Sequence, residues 1–194
     1  MSYPVTSHRS PVTSKKNKSG DWCLVSSVFS PKIGRNVYLD PSAQIIGRVT
    51  IGDHSSVWPG TVVRADIHQI KIGRYTNIQD LSLLHVETNR GCTLGDYVTV
   101  GHQACLHACT VKDQALIGIG SILLDGAVIG EAVMLGAGSL VTHHQKLKSG
   151  CLYFGRPVKF VRKLTRREIA GLKKWAMRYV DYAKAHKSGK FRRI

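Results

Sequence analysis

From Ile33 onward an aliphatic residue returns every six positions. The series runs Ile33, Leu39, Ile45, Ile51, Val57 and Val63, then Ile72, Ile78 and Leu84, then Leu94, Val100 and Leu106, then Val111, Ile117, Leu123, Ile129, Leu135 and Val141. Two positions before these the side chain is small, as at Ala43, Ser55, Thr61, Ser82, Ala104, Cys109 and Ala127, and only Ile70 is bulky there. A strand repeats every two residues and an amphipathic helix every 3.6, so neither produces a six-residue rule with one large and one small inward site. A parallel β-helix does, because each hexad is a short strand plus a corner and three hexads close one triangular coil. Grouping by threes starts coils at Ile33, Ile51, Ile72, Leu94, Val111 and Ile129, and five of these six are followed directly by Gly. The predicted fold class is an all-β solenoid of about six coils over residues 29–158, roughly 29 Å tall at a strand spacing of about 4.8 Å.

Two basic flanks bracket this prism. The formal charge is +16, which by itself suggests nucleic acid or an anionic surface. Residues 21–158 carry eleven basic and ten acidic side chains, whereas residues 1–20 carry four and none, and 159–194 carry thirteen and two. The body is therefore almost neutral, and no aromatic-interleaved basic motif marks a nucleic-acid partner. Residues 1–28, rich in Ser, Thr, Pro and Lys, read as a disordered basic tail and lead-in. In 159–194, Thr165 and Glu168 form a capping box ahead of Ile169, Leu172, Trp175, Ala176, Tyr179 and Val180 at helical spacing. That pattern predicts a basic amphipathic α-helix of about twenty residues, lying along the prism wall or across a subunit boundary. No apolar run approaches a membrane span and no signal peptide opens the chain, so the expected location is cytoplasmic. Five cysteines without metal-ribbon spacing fit reduced thiols.

The coil phase gives meaning to the histidines. His85 follows Leu84 and His107 follows Leu106, so the two stack on the third face of consecutive coils and point outward, close enough to share a tetrahedral zinc. His102 follows Val100 by two, on the far side of a corner, and only a neighbouring prism could bring its copy alongside. Arg64 lies beneath His85 and Asp80 beneath His102, with Asp66 and Gln79 flanking both columns. His8, His54, His143, His144 and His186 read as surface residues. Cys109 reads as core, and Cys105 as an outward bystander near the site.

Together, Arg64-Ala65-Asp66, Ile72 through Asp80, His85, Gly101-His102 and Leu106-His107-Ala108-Cys109 resemble the gamma-class carbonic anhydrases. The segment Gly155-Arg156-Pro157-Val158-Lys159 resembles the lead-in to that family's terminal helix. The resemblance implies a left-handed β-helix and a homotrimer. It also implies zinc, or in its place iron or cobalt, held by His85 and His107 of one subunit and His102 of the next. Arg64 and Asp66 would form an interface ion pair, and Gln79 with Asn77 would contact bound hydroxide or bicarbonate. The implied activity is that of a lyase, the reversible hydration of carbon dioxide to bicarbonate by a metal-bound hydroxide. Ile67 stands where active members carry an acidic residue, and only eight residues separate His85 from Leu94, so the family's acidic loop is absent and this is the short branch. His68 and Glu87 are then the nearest titratable candidates for proton export. Two alternatives share the prism: a hexapeptide acyltransferase or thioesterase acting on an acyl-thioester, and a non-enzymatic trimeric scaffold.

Overall fold

The computed structural model describes residues 29–191 together with the short strands Ser14–Lys16 and Trp22–Leu24, which pair antiparallel. The expectation for residues 1–28 otherwise lies outside the described residues. From Lys32 the chain winds into a parallel β-solenoid, and the inward residues stack as the six-residue rule predicts. One face runs Ile33, Ile51, Ile72, Leu94, Val111, Ile129 and Leu147 in register. The second runs Leu39, Val57, Ile78, Val100, Ile117, Leu135 and Tyr153. The third runs Ile45, Val63, Leu84, Leu106, Leu123 and Val141. The first two columns have seven members and the third has six, so a partial seventh turn follows the six expected coils. Its hexads, Leu147 and Tyr153, continue the period, but an aromatic residue replaces the last aliphatic one.

Most large inward side chains are fully buried, from Ile51 through Leu135, and they merge with the small inward residues into one continuous core. Cys92 and Cys109 occupy neighbouring small inward sites, with their sulfurs 3.9 Å apart in a weak hydrogen bond and not joined by a disulfide. Where Gly follows the coil-opening aliphatic, close approach between coils requires it. A Cβ on Gly73 would stand 2.3 Å from the Gly95 carbonyl oxygen, and one on Gly52 would stand 2.7 Å from the Gly73 carbonyl carbon. Three residues into each coil the backbone turns through positive φ, at Asn36, His54, Tyr75, Tyr97, Gln114 and Ala132. These corners stack as well: the His54 and Tyr75 rings lie 4.9 Å apart, as do those of Tyr75 and Tyr97.

Residues 159–194 begin with a strand that the sequence does not announce. Val158–Lys163 pairs antiparallel with Cys151–Gly155 and finishes the second face. The helix Arg166–Lys187 then descends along the same prism's second face, which resolves the two placements left open by its sequence. The Thr165 hydroxyl accepts from the Glu168 backbone N–H, and the Glu168 carboxylate accepts from the Thr165 N–H, so the capping box is present. Leu172 packs near the top with Leu116, Met134 and Leu152, and Ala183 packs near the bottom against Tyr38 and Trp58. His186 joins this lower cluster, its ring 5.0 Å from that of Trp58. His54 and His186 are thus half-buried ring partners, not the surface residues that their isolation in sequence suggests. Among the described residues no helix is long and apolar enough to cross a membrane.

Candidate functional site

All three departures from the six-residue period fall at the third corner. The intervals Val63 to Ile72, Leu84 to Leu94 and Leu106 to Val111 follow the strands that carry Arg64, His85 and His107. A repeat that packs well every six residues is broken here in successive coils, as expected where function overrides local regularity.

His85 and His107 are registered directly opposite one another on adjacent parallel strands. His85 Nδ1 and His107 Nε2 face each other at 3.1 Å. The other nitrogen of each ring meets a carboxylate: His85 Nε2 lies 3.1 Å from Asp66 Oδ1, and His107 Nδ1 contacts Asp125 Oδ1. An ionised carboxylate requires an N–H on the nitrogen it meets. If Asp66 and Asp125 each take such a hydrogen bond, both inner nitrogens present lone pairs across a 3.1 Å gap. Two lone pairs repel at that distance unless a shared proton or a cation lies between them. Two ligands of a tetrahedral zinc, each about 2.0–2.1 Å from the metal, stand roughly 3.3 Å apart, so this donor pair fits such an ion.

His102 lies round the corner, as the hexad phase requires, with its Nδ1 2.8 Å from Asp80 Oδ2. Each of the three expected histidines thus has one nitrogen on a carboxylate, the arrangement that fixes tautomer and ring orientation in metal-binding histidines. The three do not meet within one chain. Among the described residues no three His, Cys, Asp or Glu side chains of a single subunit gather closely enough to hold a metal ion.

Arg64 and Asp66 form an ion pair within the subunit. Partial burial pushes the Asp66 carboxyl up, but the hydrogen bonds from His85 and Arg64 outweigh it and hold Asp66 below the usual carboxylate range. Gln79 and Asn77 are both buried, on the second face. The Gln79 amide donates to Asn77 Oδ1 at 3.0 Å, and Asn77 in turn donates to Thr99 Oγ1 at 3.0 Å, so one hydrogen-bond chain orients both amides. Gln79, Thr99 and His102 line one end of a cavity of about 350 Å³ between the second face and the terminal helix. Its remaining wall is mainly apolar and includes Met134, Leu152, Trp175 and Tyr179. Burial, with a smaller effect of the Asp80 charge, pushes the Tyr179 phenol up, so it stays a neutral donor.

Two expected proton carriers stand apart from the histidine pair. His68 lines a separate surface cavity with Phe29, Arg48 and Gln69, where its Nδ1 accepts from the Gln69 N–H at 2.8 Å. Glu87 forms a backbone bridge with Arg90 in the turn beyond His85. Asp125 escaped sequence reading because a single carboxylate after Leu123 and Leu124 carries no motif. Cys105 faces outward and half-buried, and burial pushes its thiol up. Cys109 is pushed well up by its hydrogen bond with Cys92 and by burial. Neither thiol is therefore available as a thiolate nucleophile at neutral pH.

The third face also has an apolar outer surface. Val62, Leu83, Cys105, Ile122 and Leu140 point outward along it, and Leu81 and Ile119 at the adjoining corner are 61% and 53% exposed. The terminal helix covers the second face, not this one, and leaves Leu81, Leu83 and Ile119 exposed and the others half-buried.

A family model described as "Bacterial transferase hexapeptide (six repeats)" matches residues 30–65. Gamma carbonic anhydrase 2, mitochondrial, of Arabidopsis thaliana is 45% identical over 82% of this chain, which spans only 59% of that protein's length. A protein named carbonic anhydrase from Geobacillus kaustophilus is 42% identical over 82% of this chain and 87% of its own length. The crystal structure of a putative acetyltransferase from Bacillus cereus superposes with a TM-score of 0.81 at 42% identity, covering 82% of this chain and 93% of that one. A hexapeptide transferase family protein from Anaplasma phagocytophilum gives a TM-score of 0.78 at 43% identity, covering 81% and 93%. With its solenoid, its terminal helix and relatives matched at this identity over most of their length, the chain belongs to the gamma-class carbonic anhydrase family of hexapeptide-repeat proteins.

Proposed function

We propose that this protein catalyses the reversible hydration of carbon dioxide to bicarbonate at a site shared between subunits of a homotrimer. His85 and His107 of one subunit and His102 of the next would hold a zinc ion. The observation that carries this reading is the pair of imidazole nitrogens facing each other at 3.1 Å, each ring fixed from behind by its own carboxylate. The apolar outer surface of the third face would supply the contact for the neighbouring copy, which would bring its His102 and Asp80 alongside. Held by these three neutral imidazoles, zinc would acidify water and so would supply a nucleophile at neutral pH. Asp66 and Asp80 keep His85 and His102 in their ligating orientation. Gln79, its amide held by Asn77, orients the oxygens of the substrate and product, and Arg64 holds Asp66 in place beside His85. The unbridged Cys92 and Cys109 suit a reducing compartment, and we retain the cytoplasm as the location.

A second reading has its own support. The relatives of known structure named as a hexapeptide transferase family protein and a putative acetyltransferase share the fold, and the largely apolar cavity at His102 could take an acyl chain. The test is metal analysis of protein purified with and without oxygen, paired with carbon dioxide hydration and acyl-thioester turnover on each sample. Hydration that rises with metal content supports the first reading. A metal-loaded trimer that hydrates nothing but turns over acyl-thioesters establishes the second.

A further inference from the structure

Asp66 and Asp80 stand behind two of the three histidines and were already marked by their position in the sequence. The carboxylate behind the third, Asp125, has no assigned role, although the fold holds it more firmly than a surface Asp needs. It occupies the corner that follows Leu123, one coil above His107. The residue after Asp125 is tied to the residue after His107, the Gly126 N–H donating to the Ala108 carbonyl at 2.9 Å. The Asp125 carbonyl accepts from the His144 N–H, also at 2.9 Å. Gly126 turns at φ 70°, a left-handed corner that favours glycine. Its Oδ1 meets His107 Nδ1, whereas its Oδ2 is 3.8 Å from His143 Nδ1, too far for a hydrogen bond.

We infer that Asp125 is a positioning residue, which holds His107 as the tautomer protonated on Nδ1 and so leaves Nε2 free to bind a metal ion. The inference rests on the metal-site reading above. Without an acceptor at Asp125, the His107 ring is free to rotate or to carry its proton on Nε2, the nitrogen that faces His85. Partners of this kind behind metal-binding histidines typically alter metal affinity by 10–100-fold.

The test is zinc affinity of the intact protein, measured by competition with a chromophoric chelator, for wild type, Asp125→Leu, Asp125→Asn and His143→Ala. Asp125→Leu removes the acceptor while roughly keeping volume, and its affinity should fall about 10–100-fold. Asp125→Asn keeps an acceptor oxygen and should recover much of that loss. His143→Ala should stay within about twofold of wild type, because its 3.8 Å approach is no hydrogen bond. In the zinc-loaded protein a low-field Nδ1–H proton resonance, assigned to His107 through its ring nitrogens, should be present in wild type and Asp125→Asn and absent in Asp125→Leu. If Asp125→Leu does not assemble, Asp125→Ala withdraws the acceptor with less bulk and reads the same two quantities. Zinc affinity within twofold of wild type in the Leu or Ala variant, with the resonance retained, overturns the inference. Wild-type protein that takes up no zinc overturns the metal reading itself and this inference with it.

Discussion

Leu106 connects the stability of the solenoid to its chemistry, since it is the inward neighbour of His107 on the strand Cys105–His107. Its side chain is fully buried and lies between Leu84 in the coil below and Leu123 in the coil above. Leu106→Ala removes three carbons from this column. The cost depends on how far the surroundings collapse, and Leu→Ala substitutions in rigid cores span about 2–5 kcal/mol. Collapse is limited here because backbone hydrogen bonds fix the coil spacing on both sides. The Leu83 N–H donates to the Ala104 carbonyl at 2.9 Å, and the Cys105 N–H donates to the Ser121 carbonyl at 2.8 Å. The upper half of the range therefore applies, and we expect about 4 kcal/mol. Ile33→Ala provides the internal comparison. Ile33 is 43% exposed in the first coil and should cost about 1 kcal/mol. Urea unfolding at one fixed protomer concentration, with metal removed by chelation, measures both without contributions from ligand binding. A Leu106→Ala cost below about 1 kcal/mol, or one no larger than that of Ile33→Ala, would refute the stacked-column account.

Gln79→Ala should leave metal content intact and lower hydration by roughly one to two orders of magnitude, because an orienting amide is lost and no ligand is. Unchanged turnover would remove Gln79 from the mechanism. The helix cap gives a pH test. The hydrogen bond from Arg162, followed by those from the Thr165 backbone and hydroxyl, holds the Glu168 carboxyl at about 2, against an ordinary 4.5. The unfolded chain thus takes up this proton at a higher pH than the folded one. Glu168 contributes its full stabilisation above about pH 4.5 and loses it as pH falls through about 2. A carbon-detected NMR titration of Glu168 should show this low midpoint, and a midpoint near the ordinary value would contradict the cap as described.

The three inward columns were legible because a six-residue rule with one large and one small site has few solutions, and the separation of His102 from His85 and His107 followed from coil phase alone. The partial seventh turn was harder to see, since Tyr153 ends an otherwise aliphatic series and the chain then reverses at Gly155-Arg156-Pro157. The hand of the coil is not contained in the repeat: general crossover rules favour the right hand, and the left hand entered only through family resemblance. His54 and His186 read as surface because their ring partners are remote in sequence, Tyr75 for the first and Trp58 for the second. Asp125 was invisible for a related reason. Its meaning depends on the shortened third corner after His107, which places a carboxylate from the next coil behind that ring.

The central claim is that the site is divided between subunits, and complementation between two inactive variants tests it most directly. A subunit carrying His85→Ala still offers its His102, and one carrying His102→Ala still offers His85 and His107. Each variant alone should bind little metal and hydrate no carbon dioxide. When the two are co-expressed with different tags and isolated as mixed closed trimers, each ring holds one complete boundary, about a third of the total. The account predicts recovery of metal and hydration to about that fraction of wild type. Verified mixed oligomers that recover neither would mean that the three histidines do not join across a boundary, which would contradict the shared site.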